Sequence, residues 1–337
     1  MSGALQAVFQ NLRSLGGLGG GHWIGTLGGS DQSSGTSVGV DSSGNVYLSG
    51  YSTVTGVQSY QVAKYNSTGT IQWQGSLSAS SGGDAFGLSI AVDSSGNSYH
   101  CGYFDFSGGQ NSIGFIKYDT NRSPQWQRRL TNPVDPSIGR SIAVDSSGNV
   151  YVCGSSISGG VNGGQIAKYN SSGTNQWQQR LSSSGDVIGT GIAVDSSANV
   201  YISGYYNAGG VTANEILIIN GAGSEQGNSI AVDSSGNVYV CGRNTTGSNA
   251  FLIAKYDTSG TIQWQRILSG GDAYGMGIAV DSSNNYYICG YSDQRSGNND
   301  FLFAKLPTDG TKTGTYVVGG YSYTYATSTL TSATSTL

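Results

Sequence analysis

Six copies of the string Val-Asp-Ser-Ser-X-Asn, beginning at Val40, Val92, Val144, Val194, Val232 and Val280, constrain this 337-residue chain more than any other feature. Their spacings of 52, 52, 50, 38 and 48 residues are those of a supersecondary unit repeated in series. Each copy leads into a Tyr-rich strand such as Asn149-Val150-Tyr151-Val152-Cys153-Gly154, then a variable loop, then a strand such as Phe251-Leu252-Ile253-Ala254-Lys255-Tyr256. A short turn, Asp257 to Thr261 in the fifth copy, leads into Ile262-Gln263-Trp264-Gln265-Arg266-Ile267-Leu268. Each unit therefore reads as four short strands, with tight turns between the first and second and between the third and fourth.

One such sheet cannot bury both faces, whereas a succession of them can, so the pattern predicts an all-β fold: a β-propeller of about six four-stranded blades. Composition agrees. Gly and Ser make up nearly a third of the chain and oppose helix, while 10% aromatic content is more than a disordered Gly/Ser linker carries. The run Ile142 to Gly154, I-A-V-D-S-S-G-N-V-Y-V-C-G, resembles the propeller repeats of the seven-bladed and NHL-like type. The resemblance covers residue 22 to about 325 and implies a fold, with little about activity.

Irregular units predict where the pattern breaks. The fourth has no Gln-Trp strand after Ile216-Leu217-Ile218-Ile219-Asn220, so its blade should be one strand short. His22 to Leu27 reads as an unattached fourth strand for the last blade, and Tyr316 to Tyr321 as a competitor for that place. Cys101, Cys153, Cys241 and Cys289 share one position of the second strand, where the other copies have Ser49 and Ser203. Equivalent points on neighbouring blades lie roughly 10 Å apart, too far for a bridge, so these are expected to be buried thiols.

Two polar sets recur. The turn Asp offers one carboxylate and no later Glu closes a cage, so it reads as a hairpin turn and not as a calcium loop. Asp31, Asp84, Asp135, Asp186, Glu225 and Asp272 each precede that Asp by eight to ten residues. They read either as an axial carboxylate ring for a cation or polar ligand, or as acceptors for the amides of their own loops. No metal and no cofactor is expected. No catalytic residue can be placed either: of the two His, His22 adjoins Trp23 and His100 stands where Val152, Val240 and Ile288 stand elsewhere, and no phosphate loop or Gly-X-Ser-X-Gly is present. The sequence expectation is a non-enzymatic chain.

The loops between second and third strands differ from copy to copy while the turns at the other end barely change, which marks the loop face as the working one. Phe104, Phe106, Tyr205, Tyr206 and Arg295 are its candidate receptor contacts. At the N-terminus Leu5, Val8, Phe9 and Leu12 recur at helical spacing, predicting an amphipathic helix over 3 to 14. The expected organisation is an anchor peptide at 1–15, a glycine linker at 16–21, the propeller at 22–325 and a Ser/Thr-rich tail at 326–337. The start and the tail resemble structural proteins of tailed marine bacteriophages.

That resemblance implies a virion component assembled in the host cytoplasm, a tail fibre or appended receptor-binding propeller. Its partners would be other virion proteins through residues 1–15, a host surface glycan or protein, and further copies of itself. No export signal or apolar span is read at the N-terminus, and a net charge of −4 offers no footprint for nucleic acid. A bacterial cell-surface or secreted lectin-like propeller is the alternative.

Overall fold

The computed structural model describes residues 33–54, 57–68, 70–77, 84–106, 110–130, 137–158, 160–181, 186–208, 226–244, 249–269, 272–280, 286–295, 298–306, 310, 313–318 and 321–327, with short pieces at 12–13, 24–25, 211–213, 219–220 and 331–332. All regular structure among them is β. The first blade pairs Ser33–Val40, Val46–Val54, Val57–Tyr65 and Ile71–Leu77 in chain order, and the second pairs Ala85–Val92, Ser98–Phe106, Gln110–Tyr118 and Pro124–Leu130. The third is Ser137–Val144, Val150–Ser158, Val161–Tyr169 and Asn175–Leu181. The fourth has three strands among the described residues, Asp186–Val194, Val200–Ala208 and Val211–Ala213. The chain forms two compact units, 1–158 with 167–178 and 159–166 with 179–337.

The C-terminal part departs from the sequence reading. Gln226–Val232, Val238–Asn244, Ala250–Tyr256 and Ile262–Ser269 make the fifth blade, and a hairpin of Gly314–Val318 and Tyr321–Thr327 extends it to six strands through Ile262–Ser269. The sixth blade has three strands among the described residues, Ala273–Val280, Tyr286–Arg295 and Asn298–Leu306. Tyr325 anchors the hairpin: it is 2% exposed, in one core cluster with Phe251 and Tyr286. Ile219–Asn220, expected inside the fourth blade, pairs with Thr331–Ser332. Ile24–Gly25 pairs with Leu12–Arg13, so the described end of the expected helix over 3 to 14 is strand, and Leu5, Val8 and Phe9 lie outside the described residues.

Turn chemistry explains the repeated string. In each described copy the Asp Oδ1 accepts the amides two and four residues on, and Oδ2 accepts the Asn side chain and the following Tyr hydroxyl. For Asp145 these are Ser147 N at 2.9 Å, Asn149 N at 2.9 Å, Asn149 Nδ2 at 2.8 Å and Tyr151 OH at 3.0 Å. The fourth residue of the turn is left-handed, which is why Gly148 (φ 75°) stands there. The fourth blade has Ala198 at φ 64° instead. Replacing Ala198 with Gly is expected to stabilise the chain by about 1 kcal/mol, read as a raised urea midpoint at unchanged slope. Arg122 is also left-handed at φ 65°, but its Nη1 donates to Gln74 O at 3.0 Å, a contact glycine would lose.

The same side chains stitch each blade to the next within a unit. Tyr47 OH reaches Gly96 O at 2.9 Å, and the Trp73 and Trp126 indoles donate to Thr120 O and Ser171 O, each at 3.0 Å. Every inner strand carries a β-bulge, and its extra residue donates across the junction in three described cases: Thr36 to Gly87 O at 2.7 Å, Thr190 to Gly227 O at 2.6 Å and Asn228 to Gly275 O at 2.7 Å. Glycine beside the bulge leaves room for the preceding blade's core. A Cβ on Gly87 would lie 2.0 Å from the Tyr60 ring, and one on Gly139 2.8 Å from Cys101 Sγ.

Cys101, Cys153 and Cys241 are buried thiols, each within the packed interior. Burial pushes the Cys153 thiol up to about 12 and Cys101 upward as well. Thiolate is the reactive form, so Cys101 and Cys153 are expected to resist maleimide at pH 8 for hours and to label fully once the chain is unfolded in guanidinium, as read by mass spectrometry.

Candidate functional site

At the loop end, neighbouring blades share a recurring cradle. An Asp just before each inner strand accepts, through Oδ1, the amide at the start of the preceding blade's third strand: Asp84 from Gln58 N at 2.8 Å, Asp186 from Asn162 N at 2.8 Å and Asp272 from Asn249 N at 3.1 Å. These three belong to the set read as an axial ring or as acceptors within their own loops. The amide each one accepts comes from the loop of the blade before it. Asp31, Asp135 and Glu225 lie outside the described residues. Among the described residues no three His, Cys, Asp or Glu side chains converge to hold a metal ion.

The backbone of this cradle repeats, whereas its lining does not. Between the first and second blades it is aromatic: Phe86 stacks on Tyr103 at 4.5 Å between ring centres with planes 19° apart, and Tyr51 tilts against Phe86 at 5.0 Å. All three rings are half-buried. Phe86 and Tyr103 are cross-strand partners, and Tyr51 comes from the blade before, aligned with Tyr60 on its own sheet. Gln58 lies diagonally from Tyr51, and its side-chain Oε1 is buried with no hydrogen-bond partner.

Between the fifth and sixth blades the same places are polar. Arg243 replaces Tyr51 and lies over the Tyr274 ring at 5.5 Å, and Asn249 replaces Gln58 and donates from Nδ2 to Tyr274 OH at 2.9 Å. The Arg243 Nε is buried with no hydrogen-bond partner. Such a constellation can present a ring face and carboxylate or amide acceptors in one cradle, and a guanidinium stacked on a ring in the other.

The residues expected to contact a receptor fall around these cradles. Phe104 is half-buried, 6.3 Å from the Tyr60 ring, with its own ring over the bare Cα of Gly114. Phe106 ends the second strand of its blade opposite Gln110, Tyr205 and Tyr206 face Ile188 and Val187 across the fourth sheet, and Arg295 pairs with Asn298. Their backbones are thus at the loop end, and their side chains lie outside what is described. Sequence reasoning missed Tyr51, Phe86 and Tyr103. A signal was present: Tyr stands two residues after the Cys/Ser position in four of six copies, and Phe86 precedes the bulge glycine where Ser34 and Ile138 stand elsewhere.

Residues 125–160, 176–208 and 216–249 each match the beta-propeller repeat model; the first two matches begin in an outer strand, and all three run into the following blade. These segments are β-propeller repeats. No curated protein sequence matches the chain significantly. Among solved structures the propeller chain is similar to a gluconolactonase from Xanthomonas campestris, at 14% identity over 82% of this chain and 86% of that one with a TM-score of 0.45. It is also similar to a glucose dehydrogenase, at 11% identity over 74% of this chain and 92% of that one with a TM-score of 0.44. The expectation of a chain without enzymatic activity is corrected here. Both solved structures bear the names of enzymes, and the lack of a motif in a sequence does not by itself exclude catalysis.

Proposed function

We propose that this propeller chain is a surface-recognition component of a tailed-phage virion, a fibre or appended receptor-binding module whose loop ends meet a glycan or protein on the host. The observation carrying the reading is the cradle built on one backbone plan and lined differently at successive junctions: Tyr51, Gln58 and Phe86 at one, Arg243, Asn249 and Tyr274 at another. A scaffold that keeps its stitching constant and varies one end supports recognition by that end. Residues 1–15, with Leu5, Val8, Phe9 and Leu12, would dock it to the other virion proteins.

The test uses the full chain, fluorescently labelled, on a panel of bacterial cells. Attachment is expected to at least one strain, to fall several-fold with Tyr205→Ala and Tyr206→Ala together, and to be unchanged by Ala198→Gly at the turn end. Mass spectrometry of purified particles should find the chain, and deletion of residues 1–15 should remove it from particles while the propeller still melts cooperatively. Absence from particles combined with export to a bacterial surface would favour the lectin-like alternative.

A further inference from the structure

We infer that the cradle between the first and second blades is a binding subsite for a neutral saccharide, taken up through the apolar face of one pyranose ring. The inference rests on the recognition reading above and names the ligand class of that same face. Tyr51, Phe86 and Tyr103 form a continuous row of half-buried rings, built from two different blades. The repeat does not require it: Ser34 or Ile138 stands at the Phe86 position and Ser155 or Arg243 at the tyrosine position in other copies. Phe86 lies between Tyr103 and Tyr51, so axial C–H groups of a pyranose would pack on the outer sides of the two tyrosines that Phe86 holds in place, while its hydroxyls stay at the rim.

Beside the row, Gln58 Oε1 and the Asp84 carboxylate offer acceptors to sugar hydroxyls. Gln58 Oε1 is buried and has no donor, a state that costs on the order of 1–3 kcal/mol unless something supplies one. The Asp84 carboxylate uses Oδ1 for the Gln58 amide and adds a charged acceptor two residues from Phe86. With an Asp and no Lys or Arg among Tyr51, Gln58, Asp84, Phe86 and Tyr103, the cradle disfavours an anion. A polyhydroxylated, uncharged ligand satisfies the rings and the acceptors together.

Saturation-transfer NMR on the full chain with cellotetraose, laminaritetraose and β-1,4-galactotetraose tests this. Transfer to the ring C–H protons of at least one of them is expected. Phe86→Leu, which keeps apolar bulk but removes the ring on which Tyr103 stacks and against which Tyr51 leans, should weaken binding roughly tenfold, the scale of one aromatic contact. Gln58→Leu should weaken it several-fold, and Ala198→Gly at the turn end should change nothing; near-ultraviolet circular dichroism and melting confirm that each variant is folded. Should Phe86→Leu fail to fold, Phe86→Tyr is expected to bind like the parent while Gln58→Leu alone carries the loss.

No transfer from any of the three sugars, or undiminished binding by both Phe86→Leu and Gln58→Leu, overturns the saccharide assignment. If the labelled chain still attaches to cells in that case, the recognition reading survives without it. Sugar binding that needs Phe86, in a chain that attaches to no cell, upholds the subsite and removes the reading.

Discussion

Asp145→Ala is expected to cost on the order of 3–5 kcal/mol of folding stability, measured as a lowered urea midpoint of the full chain. The carboxylate is 9% exposed and holds four donors at once, among them the hydroxyl of Tyr151, which is 1% exposed. Removing it strands a buried phenol and two turn amides that water reaches poorly, and hydrogen bonds to a charged group are the strong ones. At Asp195, which like its partner Tyr201 is half-buried, the same substitution should cost less than half as much, because water reaches both groups and replaces the lost acceptor. Equal losses at the two positions would contradict the role given to burial.

The turn aspartates also give the fold an acid limit. Burial raises the Asp145 and Asp233 carboxyls, but hydrogen bonds from the Asn149 or Asn237 side chain and the turn amides outweigh it, so both stand below 3.8. Asp41 and Asp195 are shifted the same way for the same reasons. A carboxyl depressed on folding contributes stability above its unfolded value, and that contribution is lost as pH falls through the lower folded one. Stability should therefore drop below about pH 4.

His100 sets an earlier loss at higher pH, and this is the second large effect. Its side chain is 0% exposed between the Tyr60 and Tyr118 rings, with Nε2 3.0 Å from Ser98 Oγ and Nδ1 unpartnered. Burial, helped by the Arg122 charge, pulls it down to about 3 from 6.5. The unfolded chain takes up a proton as pH falls through 6.5 that the folded chain refuses until about 3, so stability declines across that window. The slope should approach about 1.4 kcal/mol per pH unit, or roughly 2–3 kcal/mol lost by pH 4.5. Ser98→Val with His100→Val, which copies the third blade's Val150 and Val152, is expected to abolish that slope and raise stability at pH 5. A double variant with the parent's pH profile would mean that His100 is protonated in the folded state.

Strands and turns were legible because six registers of one string agree, and local chemistry dictates them: Asp, Gly and Asn can each do little else at Asp145, Gly148 and Asn149. The short fourth blade was legible for the same reason, from a missing Gln-Trp strand. What could not be read depends on contacts between units of the pattern. The bulge at Thr36 or Asn228 makes sense only once the next blade's glycine carbonyl is opposite it. The hairpin of Gly314–Val318 and Tyr321–Thr327 joins the fifth blade because Tyr325 finds a place beside Phe251 and Tyr286, residues 39 or more positions away. Tyr51 and Phe86 belong to different blades, and nothing in either repeat says that their rings meet.

A substitution scan over Tyr47 to Tyr118, read in parallel for stability by proteolysis and for attachment to a cell strain that the labelled parent binds, tests the division between stitched turns and recognising loop end most directly. The account predicts that changes at Asp93, Gly96, Asn97 and Tyr99 lower stability and reduce attachment only in proportion, whereas changes at Tyr51, Gln58, Phe86 and Tyr103 reduce attachment well beyond their effect on stability. Attachment losses centred on the turn residues, with the cradle residues neutral, would contradict it.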